Sequence, residues 1–430
     1  MEGEWTETTV GEAFEIGPSR TLKRGDIAPF IPMDALPVHA RAFERIDSRE
    51  FRGSGARFKN GDTLIARITP CLENGKTAYV AGLPANSIGH GSTEYIVLAG
   101  RESLSDGLYG YYLARSPDFR RYAIGHMEGT SGRQRVPSTA IEKYALALPP
   151  LTEQRAIAHI LGTLDDKIEL NRRRNQTLEA MARALFKDWF VDFGPVRAKM
   201  EGRESYLSAD LWQLFPDRLD DEGKPEGWEM QPLSELLTII GGGTPKTSVE
   251  EYWGGDIPWF SVVDTPSASD VFVIATEKTI TDKGLAGSSA RLIPKGTTII
   301  SARGTVGNLA IAGCNMTFNQ SCYGLRGTGS AGDYFVYLTA QQMVDQLKSM
   351  AHGSVFSTIT RQTFEAIHRP VPSPTALAAF ERLVTGWFDS IFSSVEESRT
   401  LAQLRDTLLP KLISGELRIT DAEKFLERMA

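Results

Sequence analysis

The sequence predicts a duplicated α+β protein in which each half is a mixed α/β globular domain followed by one long helix, and three observations predict it. Residues 152–193, TEQRAIAHILGTLDDKIELNRRRNQTLEAMARALFKDWFVDF, follow the stop Pro149-Pro150 and contain no proline, and no glycine beyond Gly162. Shifting the chain by 223 residues lays a second run of the same periodicity over the first. Ahead of each run, short apolar or alternating segments sit between Gly, Asn and Pro, which is strand vocabulary, beside segments with helical spacing.

In the first long run Ile157, Leu161, Leu164, Ile168, Asn171, Asn175, Leu178, Ala182, Leu185 and Trp189 alternate by four and three. That is the seam of a helix packed lengthwise on another. At about 1.5 Å per residue it reaches about 60 Å, a spacer between two domains. The shift of 223 places Phe380, Val384, Trp387, Ile391, Ser394, Ser398, Leu401, Arg405, Leu408 and Leu412 on the same seam positions. The polar layers recur, Ser394 and Ser398 falling where Asn171 and Asn175 sit.

A real duplication carries the globular parts as well. Trp5, Val10 and Glu12 match Trp228, Leu233 and Glu235 at the same offset, and Gly25-Asp26-Ile27, Phe30 and Asp34 match Gly255-Asp256-Ile257, Phe260 and Asp264 at 230. Ala66-Arg67 answers Ala302-Arg303 at 236, Leu113 answers Leu338 at 225, and Gly129 answers Gly353 at 224. The drift rises and returns as loop insertions make it. The expected divisions are a domain over 1–150, a spacer helix over 151–195, an acidic linker over 196–227, a second domain over 228–373, a distal helix over 374–415 and a tail over 416–430.

At 430 residues and 41% apolar, the chain supports two or three cored domains, with no 18-residue apolar run for a membrane span. The start MEGEWTETTV lacks a signal segment, and three cysteines without a CxxC predict a reducing cytoplasm and no zinc site. The net charge of −7 is uneven: residues 1–151 are neutral, 152–199 carry +2 and 200–227 carry −5. Near-neutral globular halves permit a DNA-binding face without demonstrating one, and tight binding would draw positive surface from partners.

In the first half TLIARI, AYVAGL and EYIVLAG read as strands, and SDGLYGYYLARSPDFRRYAIGHM has helical spacing. The loop GTSGRQR follows, with Thr130, Ser131, Arg133, Gln134 and Arg135. Arg and Gln pair bidentately with guanine and adenine edges, and glycine lets backbone approach phosphate, so the loop is a candidate DNA contact; a solvated charged loop is the bland alternative. Arg67 and Lys76 are weaker candidates. PCLENGKT over 70–77 approaches the phosphate-loop pattern but has Pro70 at its first glycine, which excludes a nucleotide site.

The stretch RAKMEGRESYLSADLWQLFPDRLDDEGKPEG reads as a polar tether. Its Pro216-Asp217 and Glu222-Gly223-Lys224 spell nuclease elements, but a divalent ion needs carboxylates from adjacent strands and these share one loop. In the second half Gly241 to Gly243 supply flexibility, and Thr244, Lys246 and Thr247 supply donors for a phosphate. Trp253, Trp259 and Phe260 read as core aromatics. Arg303 ends a strand in TIISARGT, and Ser354, Ser357, Thr358 and Arg361 occupy the place of the first half's GTSGRQR loop.

The run LPPLTEQRAIAHILGTLDDKIELNRRRNQTLEAMARALFKDWFVDF, the pieces PEGWE, GGGTPK and YWGGDIPW, and the ending LRDTLLPKLISGEL resemble the specificity subunits of type I restriction-modification systems. The resemblance implies two target-recognition domains in inverted, pseudo-twofold orientation, separated by two long antiparallel, coiled-coil-like helices. Each domain would read one half of a split, asymmetric site in double-stranded DNA. The helices would dock two methyltransferase subunits, to which restriction subunits are added. No cofactor is expected in this chain; S-adenosylmethionine, ATP and Mg belong with the partners. The only Pro-Pro is preceded by Leu148, so the Asn-Pro-Pro-aromatic element of adenine methylation is missing and the chain is expected to be non-catalytic. Recognition domains diverge with their targets, so no base contact carries over. The competing reading is a duplicated helical scaffold without base readout.

An antiparallel pair with its polar layers matched gives facing residue numbers that sum to about 569. Asn171 is then expected beside Ser398, Asn175 beside Ser394, Trp189 beside Phe380 and Ile157 beside Leu412. Leu164 would face Arg405, its guanidinium snorkelling outward, and Pro410 would kink or end the second helix near Leu409.

Overall fold

The computed structural model describes residues 4–130, 132–266, 270–350 and 358–419. The chain forms two compact units, one taking Met1–Leu170 with Ser398–Ala430 and the other Asn171–Glu397. Each unit thus contains one globular domain and half of each long helix.

In the first unit an antiparallel sheet runs in the order Phe14–Ile16, Tyr95–Gly100, Thr63–Ala66 and Thr77–Tyr79. A second sheet orders Asp47–Glu50, Ile27–Ile31, Gly89–Gly91 and Arg57–Phe58, and Thr6–Thr9 pairs with Ala145–Leu148 beside the long helix. The helical segment is two helices, Gly107–Arg115 and Pro117–Gly125, because Pro117 holds Ser116 extended between them. Phe14, Leu98, Tyr109, Tyr112 and Phe119 are buried in a core that continues into Ile157, Leu161, Leu408 and Leu412 of the long helices.

The second unit repeats this plan. Its main sheet orders Leu237–Gly241, Cys322–Gly327, Thr298–Ser301, Leu309–Ala312 and Phe272–Val273. A smaller sheet orders Lys278–Ile280, Trp253–Phe260 and Thr317–Phe318, and Glu229–Pro232 pairs with His368–Val371. Strand register corrects one match made on sequence. Thr63 lies opposite Leu98 as Thr298 lies opposite Leu325. Further along, the Arg67 amide donates to Glu94 O (3.0 Å) as the Ala302 amide donates to Ser321 O (2.7 Å). The structural counterpart of Arg67 is therefore Ala302. The identical Ala-Arg pairs are one residue out of register, and one residue on a strand turns a side chain to the other face.

The long helices are Leu151–Phe190 and Pro374–Ser414, and they are antiparallel. In the first unit Arg418 pairs with Glu153 (3.2 Å) and Arg405 with Asp165 (2.6 Å). In the second, Asn171 Nδ2 donates to Glu397 Oε2 (2.8 Å), and the Trp189 and Phe380 rings lie 5.9 Å apart. Several details depart from the expected seam. Arg405 does not snorkel; it is 4% exposed and faces Asp165 rather than Leu164, since a buried guanidinium needs a counter-charge. Pro410 lies inside the distal helix, held there by the buried Leu408, Leu409 and Leu412 one turn from its end. Phe388 and Phe186 are buried where Trp387 and Leu185 were expected and are only half-buried. A strict four-three alternation drifts around a helix with 3.6 residues per turn. Asn171 also reaches the Ser394 carbonyl, at 3.5 Å, and the Asn175 Oδ1 is buried without a partner among the described residues.

The acidic stretch expected as a tether is folded. Gly194–Met200 is helical, and Val196 and Phe215 are buried with Trp189 and Trp228. Lys199 Nζ fastens it by donating to Phe215 O (2.6 Å) and Asp217 (2.9 Å). The nuclease-like residues are spent within it: Lys224 pairs with Glu222 (2.7 Å) and with Asp220.

Candidate nucleic-acid interface

In the first unit Glu128 and Arg135 exchange both backbone hydrogen bonds at 2.9 Å, closing the base of the glycine loop. Gly129 makes the turn with φ 117°, a conformation that favours glycine. The loop is then stitched to the end of strand Thr63–Ala66. The Thr69 amide donates to Gln134 O (3.0 Å), the Gln134 amide donates to Thr69 Oγ1 (3.1 Å), and the Val136 amide donates to Arg67 O (2.9 Å). Arg67 and the loop, distant in sequence, therefore form one rim.

The side chains on that rim differ in what they are free to do. Arg133 is exposed and has no side-chain partner among the described residues, and Thr130 is exposed beside it. Gln134 is half-buried, with its backbone engaged. Ser131 lies outside the described residues. Arg135, expected as a base or phosphate contact, is instead a strut: its Nε and Nη2 grip Glu94 at 2.7–3.0 Å. The bond from Arg135 holds the Glu94 carboxyl below its ordinary range against partial burial. Lys76 is likewise turned into its own domain, its Nζ donating to Met33 O (3.0 Å), because a half-buried ammonium needs an acceptor.

In the second unit the corresponding stitch is made by Ile359, whose amide donates to Ala302 O (3.0 Å), and by the Thr358 hydroxyl on the same carbonyl (3.0 Å). That hydroxyl is thereby spent. Arg303, the next residue on the strand end, is exposed. Arg361 Nη2 donates to Ile239 O (2.9 Å), leaving the rest of its fork exposed. Ser354 and Ser357 lie outside the described residues. The loop over 243–247 is shaped by two indoles, Trp259 donating to Gly243 O (3.0 Å) and Trp253 to Lys246 O (3.2 Å). Their rings meet edge to face at 5.1 Å, so they support the loop from within. Thr244 is engaged by Gln320, while the Lys246 and Thr247 side chains project outward.

Each domain thus offers a rim of exposed donors on a hydrogen-bonded frame, the arrangement that lets side chains meet phosphates and base edges without losing their aim. Sequence reasoning missed Arg20 and Arg57, which lie near Arg67 in the first unit. Neither belongs to a motif, and only strand pairing brings them together. Among the described residues no three His, Cys, Asp or Glu side chains are placed to hold a metal ion, and no helix is long and apolar enough to cross a membrane.

The family model described as the type I restriction modification DNA specificity domain matches this chain twice, over residues 2–180 and 225–376. The specificity subunit of the type I restriction enzyme HindI from Haemophilus influenzae is 30% identical over 405 residues, covering 84% of this chain and 87% of that protein. The MjaIX specificity subunit from Methanocaldococcus jannaschii is 33% identical over 177 residues, 38% of this chain and 40% of that one. In fold, the crystal structure of a type I restriction-modification S subunit from M. genitalium matches with a TM-score of 0.55 at 16% identity, covering 95% of this chain and 96% of that one. A family defined by DNA specificity disfavours a scaffold without readout. With its duplicated domains, its antiparallel helices and a family match over both halves, the chain belongs to the DNA specificity subunits of type I restriction-modification systems.

Proposed function

We propose that the two domains read the two halves of one bipartite, asymmetric site in double-stranded DNA, with the paired helices fixing the gap between the halves. The observation that carries this is the repeat itself: one DNA-specificity family matches two segments, and each folds into a main sheet, a smaller sheet and a two-stranded pair. Different side chains on one frame are what two different half-sites require. Arg67, Thr130, Arg133 and Gln134 are the contacts proposed for the first domain, and Lys246, Thr247, Arg303 and Arg361 those for the second.

The chain acts without catalytic chemistry of its own. Two methyltransferase subunits dock on the helices and supply S-adenosylmethionine chemistry, and restriction subunits bring ATP and Mg. The test is domain exchange. Replacing residues 1–148 with the matching domain of another specificity subunit, in complex with the methyltransferase subunits, should change one half of the methylated site and leave the other half intact. Altered preference in both halves would overturn independent reading.

A further inference from the structure

Behind the rim of the first domain lies a cleft of about 420 Å³ into which Arg20, Arg57 and Arg67 converge from three separate strand ends and turns. Ser19 and Ser138 add hydroxyls at its edge. The Arg20 side chain is 8% exposed and pairs with Asp62, itself 2% exposed, at 2.5 Å. Its Nε is buried without a partner among the described residues, and so is the Nε of Arg67. Arg57 spends Nη1 on Arg20 O (2.6 Å) and rests its guanidinium 5.6 Å from the centre of the Phe51 ring. Of the carboxylates nearby, Asp62 is taken by Arg20, and Glu94 mainly by Arg135 although it also feels the charge of Arg67. Among the described residues neither Arg57 nor Arg67 has an ion pair.

We propose that this cleft holds a backbone phosphate of the bound DNA. The inference rests on the DNA-reading function above and adds residues outside the loops assigned to it. The half-buried Arg57 and Arg67 line the cleft without an ion pair of their own among the described residues, and guanidinium forks match the oxygens of a phosphodiester. The cleft also accounts for how a domain of zero net charge grips a polyanion: its positive charge is gathered at one point instead of spread over a face. The second domain makes the equivalent place differently. Ala302 stands where Arg67 is, and Arg361, at the position of Ser138, reaches back to Ile239, the counterpart of the cleft residue Ile16.

The test uses the complex with its methyltransferase subunits, titrated with a duplex carrying its recognition site and with a random duplex across a range of salt. Arg67→Ala and Arg57→Ala should each weaken binding to both duplexes roughly tenfold. The salt dependence should become shallower by about one in the log–log slope, with the preference between duplexes unchanged. Arg67→Lys should recover part of the affinity and the slope. If both alanine variants keep wild-type affinity and slope, the proposal is wrong. It is equally wrong if the loss is confined to one base pair at unchanged slope, which would make the cleft a base reader. Should Arg67→Ala fail to fold by circular dichroism, Arg57→Ala carries the test alone. A wild-type complex with no preference for any duplex would refute the specificity reading, while the slope on random DNA would still judge the cleft.

Discussion

At position 165 the central helix carries an aspartate, and at the equivalent position 388 the distal helix carries a phenylalanine. Asp165 is buried and accepts from Arg405 (2.6 Å) and from the Tyr112 hydroxyl (2.7 Å), while Arg405 also donates to His39 O (3.3 Å). Phe388 is fully buried, stacks on Tyr334 with ring centres 4.2 Å apart, and meets Tyr337 and Phe272 edge-on. The counterpart of Arg405 is Ala182, buried in the same apolar cluster as Phe388. The contrast extends toward the helix starts. Gln154, with no exposed surface, accepts from the Asp106 amide (2.9 Å) and donates to Leu104 O and Pro149 O. Its counterpart is the buried Leu377, and in the second unit the helix Asp333–Met350 is capped by Glu381, whose carboxylate accepts from the Tyr334 and Phe335 amides.

One copy of the repeat thus seats its domain on the helices through a buried polar network, and the other mainly through aromatic packing. The fold tolerates both because a helix face asks of its partner only matched volume and satisfied polar groups. The two solutions should fail differently. An apolar seat loses stability in proportion to what is removed, whereas a polar seat depends on every member being present.

The largest effects should come from the two central residues. Arg405→Ala leaves Asp165 buried without its cation and should destabilise the first unit by about 3–5 kcal/mol. Phe388→Ala should cost the second unit a similar amount, about 3–5 kcal/mol, through the cavity it leaves. Hydrogen exchange read separately over each unit would register both. Conservative replacements then separate the mechanisms. Phe388→Leu should retain all but about 1.5 kcal/mol, while Arg405→Lys should recover little, since an ammonium cannot hold Asp165 and His39 O with one nitrogen and Asp406 with two others as the planar fork does. If lysine restores the first unit fully, the network is a simple charge pair.

A combined Asp165→Leu, Arg405→Met and Tyr112→Phe variant, which gives the first unit the apolar chemistry of the second, should regain most of the loss seen in Arg405→Ala. Equal instability in the two variants would show that the polar seat is structurally irreplaceable. Next in size is Gln154→Leu, which installs the second unit's residue in the first. It strands three backbone groups and should cost about 1–3 kcal/mol in chemical denaturation followed over the first unit.

The smallest difference concerns a sheet position where Tyr95 and Cys322 are counterparts. Tyr95→Phe should cost about 0.5–1.5 kcal/mol, because its hydroxyl donates to Ile31 O (3.2 Å) inside the core. Cys322 instead sits in a dry site where burial pushes its thiol up to about 12. It should stay unmodified by iodoacetamide at about pH 8 in the native protein, since the thiolate is the reactive form, and react once the unit is unfolded. Prompt native labelling at Cys322 would show that the second sheet opens more readily than its packing indicates.

Sequence alone determined the parts of this protein that depend on local repetition. Helical periodicity is written into residues three and four apart, so both long helices were legible, and an offset of 223 survives because each copy folds by the same short-range rules. Pro149-Pro150, the strand runs and the two glycine loops follow from the same locality. What the tertiary structure decided is which distant groups meet. Arg135 found Glu94, 41 residues away, and Arg405 found Asp165, 240 residues away, each turning an apparently available cation into a structural one. Lys76 was claimed by the Met33 carbonyl for the same reason: a charge that folding buries takes the nearest acceptor, and no spacing in the chain announces which that is. Register decided the rest. Two identical Ala-Arg pairs differ by one residue in their place on the strand, and with side chains alternating between faces that step separates a cleft residue from an exposed one.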